Sequence, residues 1–294
     1  MTVLVLRITG LSVVYRRGAH AVRGVDLEVE PEQCLALVGE SGCGKSTIAR
    51  AVLGLLPTTA SVSGSVKVLG TDVLGLSERN LRRLRGVAVG YVAQDPFSAC
   101  DPLRTVAHHV AEAWTARGRR PDRTTVIERL RELRVPDPER SSRQYPHTWS
   151  GGMLQRASIA AATAHAPPLL VADEPTSALD HDLAHNVLGA ILREGSAVLL
   201  ITHDLGLVAR HADHVAIMYA GRIVEGGPVQ AVLDAPRHPY TRALLAAVPR
   251  PGNGLPQELP GEPPSRYLPD RGPGVRRRRG LPSGGATPCL TPPG

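Results

Sequence analysis

Residues 39–47 read GESGCGKST, which satisfies G-x-x-x-x-G-K-[ST]. Gly39, Gly42 and Gly44 let the backbone curl tightly with its N–H groups turned inward, the arrangement that cradles phosphate oxygens. A helix beginning directly after the loop aims the positive end of its dipole at the same place. Lys45 brings a mobile point charge for β- and γ-phosphates. Ser46 offers a hydroxyl oxygen to Mg²⁺. Glu40, Ser41, Cys43 and Thr47 complete the cradle. Cys43 is read as a small tolerated residue, not a nucleophile, and a thiol reagent placed there should block nucleotide. A glycine turn can match the bare pattern by accident. Here an apolar run, CLALV, precedes it and a helical pattern, STIARAVLGLL, follows it up to Pro57.

A second stretch, LLVADEP, sets Asp173 and Glu174 at the end of a short apolar run. An unpaired charge at a buried strand end is costly, so the carboxylates need a reason. A Mg²⁺ beside the phosphate loop supplies one. Asp173 then holds the metal, directly or through water. Glu174 orients and deprotonates an attacking water. An exposed strand end with ordinary acidic residues is the blander reading, weakened by the loop in the same chain. A third stretch, WSGGMLQR at 149–156, puts Ser150, Gly151 and Gly152 at the mouth of a helix. Its first N–H groups form an anion site with no anion of its own.

The elements that must position these groups follow from periodicity. LVLRIT and GVDLEVE alternate apolar and polar residues, as half-buried strands do. CLALV, LLVAD and VLLIT are continuous apolar runs, which suit buried parallel strands. GSVKVLG reads as a further strand, and DHVAIMYAGRIVEGG as a hairpin turning at Ala220-Gly221. DPLRTVAHHVAEAWTARG and DRTTVIERLREL read as helices; in the second, Val126, Leu130 and Leu133 fall on one face. The fold class is therefore α/β. A first unit spans 1–249 with a helical insert over about 97–149, and a Pro/Gly/Arg-rich tail spans 250–294.

Composition bounds the rest. The chain has 294 residues, 42% of them hydrophobic and only 3% aromatic, so Val, Leu, Ile and Ala must pack the core. Of the +7 net charge, +4 falls in the tail, where seven arginines face Glu258, Glu262 and Asp270. The remainder is too nearly neutral for a nucleic-acid field, and no nucleic-acid partner is expected. The Arg276–Arg279 run has no interleaved aromatics and reads as a solvated segment. Eleven prolines and nine glycines among the last 45 residues suggest a disordered tail. Four cysteines without a CxxC pair suggest neither a zinc ribbon nor a disulfide framework. No apolar run approaches the roughly 20 residues of a membrane helix. His181 and His185 have a zinc-like i, i+4 spacing, but Asp182 is too short for the glutamate of that motif.

The chain resembles the ATP-binding subunits of ABC transporters over about residues 3–248. The phosphate loop, the acidic strand, SGGMLQR, YVAQDP, SALD and ITHDL stand in the family's order. The resemblance implies that Tyr15 stacks on adenine and that Gln94 touches Mg²⁺ and water and senses the membrane partner. It implies that His203 contacts the γ-phosphate and that residues 177–180 cross to the opposite subunit. It also implies a P-loop NTPase core with an antiparallel β subdomain and a helical insert. Ser150-Gly151-Gly152 would then meet the γ-phosphate of ATP held by a second ATPase subunit in a head-to-tail dimer. Two transmembrane permeases and, indirectly, an extracytoplasmic solute-binding protein complete the implied assembly, at the cytoplasmic face of the cell membrane.

HPYTRALLAAVP at 238–249 resembles the end motif of subunits serving dipeptide, oligopeptide and nickel importers. Trp149 stands where relatives usually carry Leu, Cys100 and Asp101 where they carry Leu-Asn, and the segment between Asp180 and His203 is about one helical turn short. Only Cys289 follows the HPY segment, so no iron–sulfur cluster is expected. The change of character near residue 266 is read as a shift of coding frame, which resequencing tests. Two other classes compete: a soluble ABC ATPase of DNA repair or translation, and a non-hydrolysing regulatory subunit. A single phosphate loop without long heptads counts against the first. Retention of Lys45, Asp173, Glu174 and His203 counts against the second.

Overall fold

The computed structural model describes residues 4–177, 179–192 and 195–247. The strands are β1 (Leu6–Tyr15), β2 (Ala19–Val29), β3 (Cys34–Val38), β4 (Ser61–Val68), β5 (Thr71–Asp72), β6 (Val89–Val92), β7 (Leu169–Asp173), β8 (Ala197–Thr202), β9 (His214–Tyr219) and β10 (Arg222–Pro228). The helices are α1 (Lys45–Val52), α2 (Glu78–Val87), α3 (Val106–Thr115), α4 (Arg123–Glu132), α5 (Pro138–Ser141), α6 (Gly151–Thr163), α7 (His181–Leu192), α8 (Leu205–His211), α9 (Val229–Asp234) and α10 (Pro239–Ala246). The tail from residue 250 on and Ala178 of the SALD stretch lie outside the described residues, as does the side chain of His181.

Two sheets form. The first is antiparallel, in the order β2-β1-β4-β5; the second runs β10-β9-β3-β8-β7-β6. In the second, β3 pairs in parallel with β8 and β9, and β7 with β6 and β8. This is the pairing that continuous apolar runs require, because both faces are covered. β7 and β8 are buried at every residue. Alternation along them feeds two cores. Leu169, Val171, Leu199 and Ile201 pack toward the antiparallel sheet and α1. Leu170, Ala172, Val198 and Leu200 pack toward the helical side. β10 joins β9 as an antiparallel hairpin, with positive φ at Ala220 (49°) and Gly221 (85°), as a tight two-residue turn demands.

The helical region lies between β6 and β7. Val106 and Val110 of α3, Val126 and Leu130 of α4 and Leu154 of α6 share one core with Trp149, which is only 4% exposed. Trp149 is thus packed inside the helical unit, and α6 closes that unit beyond residue 149. A third cluster seats Val229, Val232 and Tyr240 against Ala36, Val38, Val215 and Ile217.

One helix differs from its expected length. The pattern from Ser46 suggests a helix running to Pro57, but α1 ends at Val52. Gly54, two residues past the last helical residue, takes φ +62°, a stop signal that outranks the apolar pattern. Arg85 of α2 then donates to the carbonyls of Leu53 (2.8 Å) and Gly54 (2.9 Å), satisfying two orphan acceptors at the helix end.

Candidate functional site

The carboxyl ends of β3, β8 and β7 lie side by side, and each hands its chain to one piece of the site. Ligands of open α/β sheets bind at such ends. β3 leads into the loop Gly39–Thr47. Gly44 takes φ +118° and its missing Cβ would stand 2.2 Å from the Ala21 carbonyl of β2. At Gly39 the same construction meets the Met218 carbonyl of β9 at 2.2 Å. Only glycine fits either place. The Lys45 ammonium donates to the carbonyls of Gly39 (2.6 Å) and Glu40 (3.0 Å), and the residue is 8% exposed. Burial pushes the Cys43 thiol up, against the pull of the Lys45 ammonium, so it stays protonated.

β7 ends at Asp173, which is 3% exposed. Burial raises its carboxyl above the ordinary range; a hydrogen bond from the Ser46 hydroxyl and the charges of Lys45 and Arg50 oppose the rise, while Glu174 adds to it. Its Oδ1 is buried without a hydrogen-bond partner among the described residues. An orphaned carboxylate oxygen beside a serine hydroxyl is a hard-oxygen donor set, and it fits Mg²⁺. Glu174 donates its N–H to the Ile201 carbonyl at 2.8 Å, extending the ladder to β8. Its φ is +49°, a left-handed conformation that strains a non-glycine residue. Its Oε2 lies 2.9 Å from Nδ1 of His203, which follows β8 directly and is 74% exposed at the side chain.

The remaining sequence-derived positions divide. The Tyr15 hydroxyl lies 3.2 Å from Oγ1 of Thr47, so the aromatic sits over the start of α1. Gln94 is exposed, two residues past β6. The neighbouring Ala93 carbonyl accepts from Nε2 of fully buried Gln155 at 3.4 Å, tying this loop to α6. Ser150 is the N-cap of α6 and accepts from the Met153 N–H at 3.3 Å. Nε of Arg156 donates to the Gly152 carbonyl at 3.1 Å, which steadies that turn from within the helix. Among the described residues no hydrogen bond joins Ser150, Gly151 or Gly152 to the phosphate loop. His185 pairs with His211, Nδ1 to Nε2 at 2.9 Å, and no group of three or more metal-binding side chains occurs among the described residues. Sequence reasoning missed one participant. The Tyr240 hydroxyl accepts the Glu40 N–H at 3.0 Å; the signal was present in HPYT, read there only as a branch marker.

A glycine loop between strand and helix, an acidic strand end beside it and a helical unit inserted before that strand define an ABC-type nucleotide-binding domain. The chain belongs to the ABC transporter family, whose model matches residues 22–177, just over half of it. A second model, the oligopeptide/dipeptide transporter C-terminal region, matches residues 224–274, past the change of character near 266. An oligopeptide transport ATP-binding protein of Mycobacterium tuberculosis is 44% identical over 275 residues, 88% of this chain and 45% of that protein. The chain therefore spans about half the length of that relative. A Sinorhizobium fredii protein named for peptide ABC transport is 46% identical over 254 residues, 83% of this chain and 76% of the other. A dimeric bacterial ABC transporter cassette superposes with a TM-score of 0.69 at 25% identity, covering 76% of this chain and 98% of that one. No described helix is long and apolar enough to cross a membrane.

Proposed function

We propose that this chain hydrolyses ATP to energise import of peptides or a related small solute, working as one of two cassettes on a pair of permeases. One observation carries the reading. The phosphate loop, the Asp173 carboxylate with its unpartnered Oδ1 and the Glu174–His203 pair meet at three adjacent strand ends. The loop Gly39–Thr47 cradles the phosphates, Lys45 leaving its own loop carbonyls for the γ-phosphate. Ser46 and Asp173, with Gln94 at the rim, would hold Mg²⁺, which when bound neutralises phosphate charge. Glu174 takes the proton of the attacking water. His203, fixed by Glu174 yet exposed, reaches the γ-phosphate, and Tyr15 takes the base.

The relatives' names support peptides as the solute class, and the dimeric cassette supports a second subunit facing Ser150-Gly151-Gly152. A groove of about 340 Å³ is lined by Leu53, Leu55, Tyr91, Cys100, His109 and Ala161, among others. Phe97 and Leu103, the latter 82% exposed, lie on the chain that passes it. An apolar groove next to the Gln94 loop suits a permease helix, which keeps the protein at the cytoplasmic face of the membrane.

Ser150→Arg tests the dimeric reading. The bulky cation stands at the cap of α6, away from the loop Gly39–Thr47. The variant should bind ATP as the parent does by calorimetry and lose at least tenfold in turnover. Unchanged turnover would sink the two-subunit site.

A further inference from the structure

The geometry points to Tyr240 as a positioning residue for the phosphate loop, its hydroxyl fixing the Gly39–Glu40 peptide in the orientation that nucleotide requires. The observations converge on one peptide plane. Its carbonyl, from Gly39, takes the Lys45 ammonium at 2.6 Å; its N–H, from Glu40, donates to the Tyr240 hydroxyl at 3.0 Å. A trans peptide is planar, so holding the N–H also holds the carbonyl's direction. The Lys45 contact is the one that must be given up when the ammonium turns to phosphate. The Tyr240 contact then remains as the tether. The plane cannot slide instead of turning, because Gly39 already stands against the Met218 backbone.

Tyr240 is itself built to be immobile. It is 0% exposed, and its ring lies 4.4 Å from that of Tyr219 on β9. Its N–H donates to Nδ1 of His238 at 3.1 Å, and the N–H groups of Arg237 and His238 donate to the Glu225 carboxylate at 2.7 and 3.0 Å. A rigid path thus runs from β10 through the start of α10 to the second residue of the loop. Burial keeps the hydroxyl neutral, so the contact persists across the working pH range. By linkage, whatever orders the loop also steadies α10, and the coupling is reciprocal.

The inference rests on the loop being the nucleotide site, so its test carries a control for that. In the purified 294-residue chain, Tyr240→Phe keeps the ring and deletes the tether. Removing one buried hydrogen bond should weaken MgADP binding by calorimetry about three- to tenfold. KM for ATP should rise by a similar factor while kcat stays within twofold, and the unfolding midpoint without nucleotide should hardly move. Tyr219→Phe, whose ring makes the same stack, should leave binding unchanged. In the parent chain ADP should slow amide hydrogen exchange over residues 237–247. An unaltered ADP affinity in Tyr240→Phe, or no ADP-dependent protection of that segment, overturns the inference. Lys45→Ala separates the two failures. If it loses ADP while Tyr240→Phe does not, the tether alone is wrong; if Lys45→Ala binds normally, the reading of the loop itself falls.

Discussion

On the proposed reading Glu174 does two things that conflict, and substituting it separates them. Its φ of +49° costs a non-glycine residue about 1–2 kcal/mol relative to right-handed backbone. Glycine adopts that conformation freely but returns about 0.4–1 kcal/mol to the unfolded chain as entropy. Glu174→Gly also removes a nearly buried carboxylate whose partner, His203, is mostly in water, so little pairing energy is lost. The net is a gain of between zero and about 1.5 kcal/mol, which in a domain of this size moves the unfolding midpoint by no more than about 5 °C upward. Glu174→Gln keeps both shape and strain, so its midpoint should stay at the parent's. Both variants should lose about 10²–10⁴-fold in turnover, the usual weight of a general base. Scanning calorimetry and phosphate release on the same preparations decide the matter. A fall of several degrees in Glu174→Gly refutes the strain reasoning. Turnover within tenfold in Glu174→Gln refutes the assignment of the base.

Two further outcomes are expected. Asp173→Asn should raise the midpoint at pH 7 in the presence of chelator while abolishing turnover. Burial lifts the Asp173 carboxyl above its ordinary value of 3.8, so the folded chain holds that proton to a higher pH than the unfolded chain does. Folding is therefore favoured below the ordinary value and loses ground as pH rises through the raised one, bearing the full cost at neutral pH. The advantage of Asn should shrink as pH falls toward 4. Trp149→Ala should cost about 3–5 kcal/mol by urea denaturation, since Trp149 is buried in the core shared by the helices, and Trp149→Leu clearly less. Equal costs would show that the indole is not packed as described.

Much of this architecture can be read from periodicity because the strands that carry the site are the most buried ones. Runs such as LLVAD and VLLIT can be little else once bounded by polar residues. Helices α3, α4 and α6 follow from their apolar spacing. α2 escapes, since ERNLRRLRGV is dominated by arginine and offers only Leu81 and Leu84 to the core. β6 is four residues long and contains Gly90, too brief for any period to register. The chemistry proposed for Lys45, Asp173 and Glu174 rests on motifs local in sequence, and the structure brings those three residues to adjacent strand ends. The bond between Glu40 and Tyr240 joins residues 200 positions apart, and no spacing announces it.

The two glycines of the loop that touch neighbouring backbones have a consequence for what nucleotide fits. Gly44 rests on Ala21 of the antiparallel sheet, and Gly39 rests on Met218 of the parallel one. Tyr15, at the end of β1, belongs to the same antiparallel sheet and meets Thr47. If Tyr15 takes the base and the loop the phosphates, as proposed, the two grips are joined by backbone contacts that no rotamer can relax. On the proposed reading they act as a fixed calliper, measuring the length from base to γ-phosphate. A change in the Arg16–Gly18 turn, which joins Tyr15 to the strand that carries Ala21, should reset that measure and with it the choice among nucleotides.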